Sequence, residues 1–194
     1  MEILTENELK LRYSEIIQKI KEGAIFIHPT DTIYGIGCDA TNEKAVAKVR
    51  ELKKRADNPF SVWAPSLKWI KDNCVVDKKV QEWLKKLLGP YTKLPGSYTL
   101  VLKLKQKKAV AKNVSGSETL GVRMPDHWFA RVVQDVNMPI ITTSVNKAGE
   151  TFMTDKNNLD PDIQKGVSFL IYEGEKKGRP SQIVNLVEGN VKER

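Results

Sequence analysis

With two cysteines and two histidines among 194 residues, the chain has little of what several common chemistries require. Cys38 and Cys74 stand far apart, without the close spacing of a zinc site or the density of a disulfide scaffold. His28 reads as a packed imidazole at a strand end, and His127 as a surface residue in the first turn of a helix. No pattern supports nucleophilic catalysis, and no ligand spacing for a protein-bound metal is present. No G-x-x-x-x-G-K-[ST] string occurs, which excludes a P-loop. The apolar runs fall far short of the ~20 residues a membrane span needs. The start, Met1 to Glu6, is acidic and helix-starting, without a secretory or transit pattern. Together these absences point to the cytoplasm and away from a membrane.

Hydrophobic residues at 40% and charged residues at 29% describe one globular domain over residues 1–194. The net charge of +8, from 32 basic and 24 acidic residues, favours polyanionic partners: nucleic acid, or a nucleotide whose phosphates enter a positive cleft.

Thr5-Glu6-Asn7-Glu8 forms a capping box for a first helix, with Leu9, Tyr13, Ile16, Ile17 and Ile20 on one face and Gly23 as its stop. Ala24 to His28 reads as a buried strand. Pro29-Thr-Asp-Thr-Ile-Tyr-Gly-Ile-Gly37 then reads as a ligand-facing loop at its carboxyl end, or as an ordinary turn into the next helix. That helix starts at Asn42 and ends in Lys53-Lys54-Arg55, where positive charge suits the helix dipole. Further strands are expected at 60–64, 98–105, 120–125, 139–143, 167–172 and 182–186. Ser66, Asp77, Asp126 and Asp160 are expected to cap helices, with Gly89-Pro90 ending the one that Asp77 starts, and the tail from Glu188 is polar. The alternation specifies α/β, a single-domain twisted mixed sheet flanked by helices.

Gly35-Ile36-Gly37-Cys38-Asp39-Ala40 matches a loose dinucleotide pattern, but Pro29 to Tyr34 separate it from the strand and the helix begins after it, which argues against such a site. Polar groups remain at strand ends: Thr30, Asp31 and Thr32; Lys53 and Arg55; Thr119 and Arg123; Thr142, Ser144 and Asn146; Ser181. Hydroxyls, amides and fixed cations without a nucleophile suit phosphoryl or nucleotidyl transfer, where positioning and charge neutralisation do most of the catalysis. Lys53 and Arg55 also fit a solvated helix end, and Ser144 and Asn146 fit simple turn formers. Arg123, between apolar neighbours in a core strand, requires a partner.

Pro29 to Gly37, Lys53-x-Arg55, Leu94-Pro-Gly-Ser-Tyr-Thr-Leu-Val-Leu102, Gly121-Val-Arg-Met-Pro125, Ser144-x-Asn146 and Pro180-Ser181-x-Ile-Val resemble, in order, the YrdC-like family of threonylcarbamoyl-AMP synthases. The resemblance covers about residues 10–187 and implies a YrdC-like fold with a basic concave face. It implies formation of L-threonylcarbamoyladenylate and pyrophosphate from L-threonine, bicarbonate and ATP, with Mg2+ carried by ATP. The product would serve a downstream threonylcarbamoyl transferase complex that modifies tRNA. Carried over by position, Lys53 and Arg55 are the catalytic cations. They join Asn58, Thr119, Ser144 and Asn146 around ATP. Thr30, Thr32, Arg123, Thr142 and Ser181 would surround threonine, with Arg123 suited to its carboxylate. The chain departs from the family at Trp63, where some members place a histidine, and at Gln182, where threonine is common. The Arg55-to-Asn58 spacing is one residue shorter, and the additional C-terminal domain of longer members is not expected. A second reading is a non-catalytic protein of the same fold that binds tRNA or double-stranded RNA.

Overall fold

A computed structural model describes residues 1–88 and 97–192. Gly89-Pro90 and Leu94-Pro95-Gly96 lie outside the described residues. The chain runs β1 (Glu2–Leu4), α1 (Glu6–Leu11), α2 (Tyr13–Lys21), β2 (Phe26–His28), β3 (Gly35–Gly37), α3 (Glu43–Leu52), β4 (Ser61–Trp63), α4 (Leu67–Asn73) and α5 (Lys78–Leu88). It continues with β5 (Tyr98–Lys103), β6 (Thr119–Arg123), α6 (Ala130–Val136), β7 (Ile140–Ser144), α7 (Pro161–Gly166), β8 (Phe169–Ile171), β9 (Gln182–Asn185) and β10 (Asn190–Lys192). Among the described residues the strands form one sheet in the order β1-β8-β2-β3-β7-β4-β6-β5-β9-β10. Parallel pairs such as β4 with β6 occur beside antiparallel ones such as β3 with β7, the mixed sheet expected.

The start of each helix follows from its cap. Thr5 and Glu8 form the capping box of α1, Asn42 accepts from two backbone amides of α3, and Ser66 and Asp160 cap α4 and α7. The first helix is two, α1 and α2, broken at Arg12. Asp126 does not cap α6, which begins at Ala130 with Phe129 in the capping position. Glu2–Leu4 is an edge strand, and the polar tail carries β10.

The Pro29–Gly37 segment is not a connection from strand to helix. Its glycines form β3, which folds back antiparallel on β2 with His28 opposite Gly35 and Phe26 opposite Gly37. A β-carbon on Gly35 would sit 2.9 Å from the His28 ring, and one on Gly37 2.9 Å from the Phe26 ring. Only glycine admits those two rings, which explains a strand made of poor strand formers.

Side-chain alternation divides the sheet between two cores. Ile27, Val62 and Ile141 pack with Val46 and Val49 of α3, Leu84 of α5 and Ile163 of α7. Phe26, Trp63 and Ile140 point the other way, under Ile16 and Ile20 of α2 and Val132 and Val133 of α6. On that second face β4 and β7 also place Ser61, Thr142 and Ser144, two or four residues along from Trp63 and Ile140. One end of this face is therefore roofed by α2 and α6, and polar residues continue beyond the roof.

Candidate active site

Two adjoining hollows open on that polar half of the sheet. The larger, about 530 Å³, is bordered by Lys53, Arg55, Asn58, Thr119, Ser144 and Asn146. The smaller, about 80 Å³, is bordered by Thr30, Thr32, Arg123, Thr142 and Ser181. Ser61, Thr99 and Ser144 line both, so the hollows meet. The residues that the resemblance assigns to ATP border the larger hollow and those it assigns to threonine the smaller, whereas Asp31 borders neither.

Lys53 does not end its helix as a solvated cation. α3 stops at Leu52, Lys54 takes a left-handed conformation with φ of 47°, and Lys53 turns inward, only 2% exposed. Its ammonium donates to the carbonyls of Ser144 and Asn146 and, at 3.1 Å, to the Asn146 side-chain oxygen. Ser144 Oγ donates to that same oxygen at 2.6 Å, and Asn146 Nδ2 donates to Glu150 O at 2.7 Å. Lys53 thus pins the turn after β7 and borders the larger hollow.

Arg55 lies over the Phe60 ring at 5.1 Å and donates to the carbonyls of Asn58 and Pro59. Behind it Arg50, which the sequence reading passed over, donates from one guanidinium to the carbonyls of Arg55, Ala56, Asn58, Asn113 and Val114. Its guanidinium also lies 4.5 Å from the Phe60 ring centre. This holds the 55–60 turn against the 113–114 turn. Burial lowers the Arg50 pKa, and the nearby Asp57 opposes that shift.

Arg123 is 8% exposed and finds the partner its setting demands: Nη2 donates to Asp31 Oδ1 at 2.7 Å. Nε, also buried, has no partner among the described residues. Burial lowers the Arg123 pKa, and Asp31 opposes that shift. Thr30 Oγ1 donates to Ile33 O at 2.7 Å and lies 2.9 Å from Thr32 Oγ1, which fixes the turn between β2 and β3.

His28 is fully buried, stacked on Phe129 with ring centres 5.2 Å apart and with Nδ1 3.1 Å from Pro29 O. Burial pushes its pKa down to about 4, so it is a neutral packed ring, as its strand-end position suggested. His127 is not a plain surface residue. Its Nε2 lies 3.0 Å from Glu173, which also accepts from the Trp128 indole and Lys176. Burial raises the Glu173 pKa, but these three donors outweigh it and hold the carboxyl down at about 2.

Glu173 begins a strap, residues 173–181, that crosses the turn between β2 and β3. Tyr34 Oη donates to Gly174 O and accepts from Glu173 N, and Lys176 donates to Thr30 O. Gly178 lies so close that a β-carbon there would sit 2.4 Å from Thr32 O. The strap delivers Ser181, whose Oγ is 2.8 Å from Thr99 Oγ1, to the smaller hollow.

The cleft's own cations are few. Eleven lysines against four carboxylates lie in residues 66–88 and 103–118, all exposed, so most of the positive excess sits on α4, α5 and the segment after β5. Among the described residues no cluster of three or more His, Cys, Asp or Glu could hold a metal. Among the same residues, no helix is long and apolar enough to cross a membrane.

The chain is similar to known proteins over nearly its whole length. A Methanocaldococcus jannaschii protein to which threonylcarbamoyl-AMP synthase activity is ascribed is 32% identical over 97% of this chain and 86% of its own length. The threonylcarbamoyl-AMP synthase of Pyrococcus abyssi is 31% identical over 87% of this chain but 49% of its own length. The crystal structure of P. abyssi Sua5 complexed with L-threonine superposes with a TM-score of 0.82 at 27% identity, covering 98% of this chain and 55% of that one. The Escherichia coli YciO structure, 19% identical with a TM-score of 0.80, shares the fold over 98% of this chain and 91% of its own. The Sua5/YciO/YrdC sequence profile, described as "Telomere recombination", matches residues 18–193, and the chain belongs to that family.

Proposed function

We propose that this protein is a threonylcarbamoyl-AMP synthase, joining L-threonine, bicarbonate and ATP into L-threonylcarbamoyladenylate with release of pyrophosphate. The observation that carries the reading is the pair of joined hollows. One is large enough for a nucleotide and bordered by Lys53, Arg55, Thr119 and Ser144. The other is small, hydroxyl-lined and floored by Arg123. The relatives' names and the threonine complex of P. abyssi Sua5 support the same assignment.

In this reading threonine enters the smaller hollow with its carboxylate on Arg123, whose Nε has no partner among the described residues. Thr30, Thr32, Thr142 and Ser181 surround the rest of the amino acid. ATP, entering with its Mg2+, takes the larger hollow, its phosphates near Arg55, Thr119, Ser144 and Asn146. Lys53 acts chiefly by holding the Ser144–Asn146 turn and adds its charge to that wall. The threonine ammonium group and bicarbonate give an N-carboxy carbamate, water and a proton. A carbamate oxygen attacks the α-phosphorus, the bond to the β-phosphate breaks, and pyrophosphate leaves. The carbamate is itself the nucleophile, so the absence of a serine, cysteine or histidine catalyst is no obstacle. The fixed dipoles and cations stabilise the charge that shifts toward pyrophosphate. The adenylate then supplies a separate transferase that modifies tRNA.

The test is pyrophosphate release from ATP by the purified protein. Release that requires both threonine and bicarbonate is expected. Release indifferent to threonine would sink the assignment.

A further inference from the structure

We infer that Ser61 forms the subsite for the third substrate, holding an oxygen of bicarbonate and then of the carbamate where the two hollows meet. The inference rests on the proposed function and extends it to a residue outside the motifs from which that function was read.

Three hydroxyl residues line both hollows, and their hydrogen bonds distinguish them. Ser144 Oγ is committed to Asn146, and Thr99 Oγ1 is within 2.8 Å of Ser181 Oγ. The Ser61 hydroxyl has no partner among the described residues. Ser61 begins β4, between Thr142 on β7 and Gly121 on β6, so its side chain points into the cleft while the next residue, Val62, enters the core.

Space at this point is created by a missing side chain. A β-carbon on Gly121 would lie 2.6 Å from Ser61 Oγ, so any other residue there would press on the hydroxyl. Glycine in a strand interior costs stability and commonly marks a place where something else must approach the backbone. The Thr99 methyl would lie 3.3 Å from the same β-carbon and closes the space from β5. The result is a small recess with an available O–H donor, between the amino-acid and nucleotide hollows.

That position suits the chemistry. The carboxyl carbon must bond to the threonine nitrogen, and one of its oxygens must face the α-phosphorus. A donor at the junction can hold the oxygen that does not attack, fixing the carbamate plane so that the other points into the larger hollow. The proton released when the threonine ammonium group and bicarbonate condense passes to solvent through the open cleft.

Ser61→Ala and Ser61→Thr test the assignment by pyrophosphate release at varied bicarbonate, threonine and ATP. Losing a hydrogen bond to a charged oxygen should raise the bicarbonate KM of Ser61→Ala about tenfold or more. Its threonine and ATP KM values should stay within about twofold, less than the loss of any such bond. Ser61→Thr, which keeps the hydroxyl, should restore bicarbonate use. Unchanged binding of a non-hydrolysable ATP analogue by Ser61→Ala shows that the fold survives. Active wild type with an unmoved bicarbonate KM in Ser61→Ala, or with equal rises for all three substrates, overturns the Ser61 subsite alone. Wild type without threonine-dependent release overturns the proposed function and this subsite with it.

Discussion

Arg123, which borders the smaller hollow, donates from Nη2 to Asp31 Oδ1 at 2.7 Å, while Ser97 donates to the other carboxylate oxygen at 2.6 Å. The pair is unevenly buried, with 8% of the Arg123 side chain exposed against 19% for Asp31. Removing the more exposed partner strands the more buried charge. Asp31→Ala should therefore destabilise the protein by about 3 kcal/mol, and more than Arg123→Ala does. Urea unfolding midpoints of the two variants would show the order. Function should rank them differently: Arg123→Ala should raise the threonine KM about tenfold or more, with a far smaller effect on ATP. Equal effects on the two substrates would remove Arg123 from the threonine site.

Lys53 is tied to a turn 91 and 93 residues away, so its loss reaches beyond its own charge. Lys53→Met keeps the apolar stem but leaves the Ser144 and Asn146 carbonyls without that donor in a buried setting. A cost of about 2 kcal/mol in stability is expected, together with weaker nucleotide binding as the Ser144–Asn146 turn loosens. Thermal unfolding and titration with an ATP analogue measure the two effects. Lys53→Met binding the nucleotide as wild type does would confine the residue to a structural role.

These contacts show which parts of the site could be read from residue types and which could not. Thr142 and Ser144 stand out because hydroxyls interrupt an apolar strand, and strand alternation then assigns them a common face. Arg123 stands out because a charge in a core strand needs company, although the identity of that company depends on a turn 92 residues earlier. Lys53 misleads: three consecutive cations after a helix look solvated, and only distant carbonyls turn the first one inward. The β2–β3 hairpin is hidden because two glycines are poor strand formers, and their place beside the Phe26 and His28 rings is a tertiary fact. Likewise Leu9, Tyr13, Ile16 and Ile20 keep one helical phase across Arg12, so the break between α1 and α2 leaves no mark in the periodicity. The strap over Thr30 and Thr32 is held by Tyr34, Lys176 and Gly178, long-range contacts that no local pattern announces.

His28 should make the fold sensitive to mild acid. Its pKa is about 4 in the folded protein against 6.5 for an unperturbed histidine, so the unfolded chain binds the proton more readily. Stability from this residue is complete above pH 6.5 and falls with pH down to about 4, a loss of about 3 kcal/mol over that window. His28→Phe keeps a flat ring beside Phe129 and cannot take up the proton. The slope of unfolding free energy against pH between 6.5 and 4.5 should be shallower in the variant than in wild type. Parallel slopes would assign the acid sensitivity to the carboxylates.

Arg50 offers the sharpest separation between shape and charge. It touches neither hollow, yet its one guanidinium satisfies carbonyls on both the 55–58 and the 113–114 turns while lying on Phe60, a wall of the larger hollow. Arg50→Lys preserves the charge and loses the planar fork, so an ammonium must leave several of those carbonyls without a donor. The variant should lose about 1–3 kcal/mol of stability, and Arg55 and Asn58 should become less well placed. Affinity for an ATP analogue should then fall while threonine binding is retained, because the smaller hollow is built from the β2–β3 turn, Arg123, Thr142 and the strap, none of which Arg50 touches. Calorimetric titrations of each ligand into wild type and Arg50→Lys decide the matter. A parallel loss of both affinities would mean that Arg50 supports the fold as a whole and not the nucleotide wall.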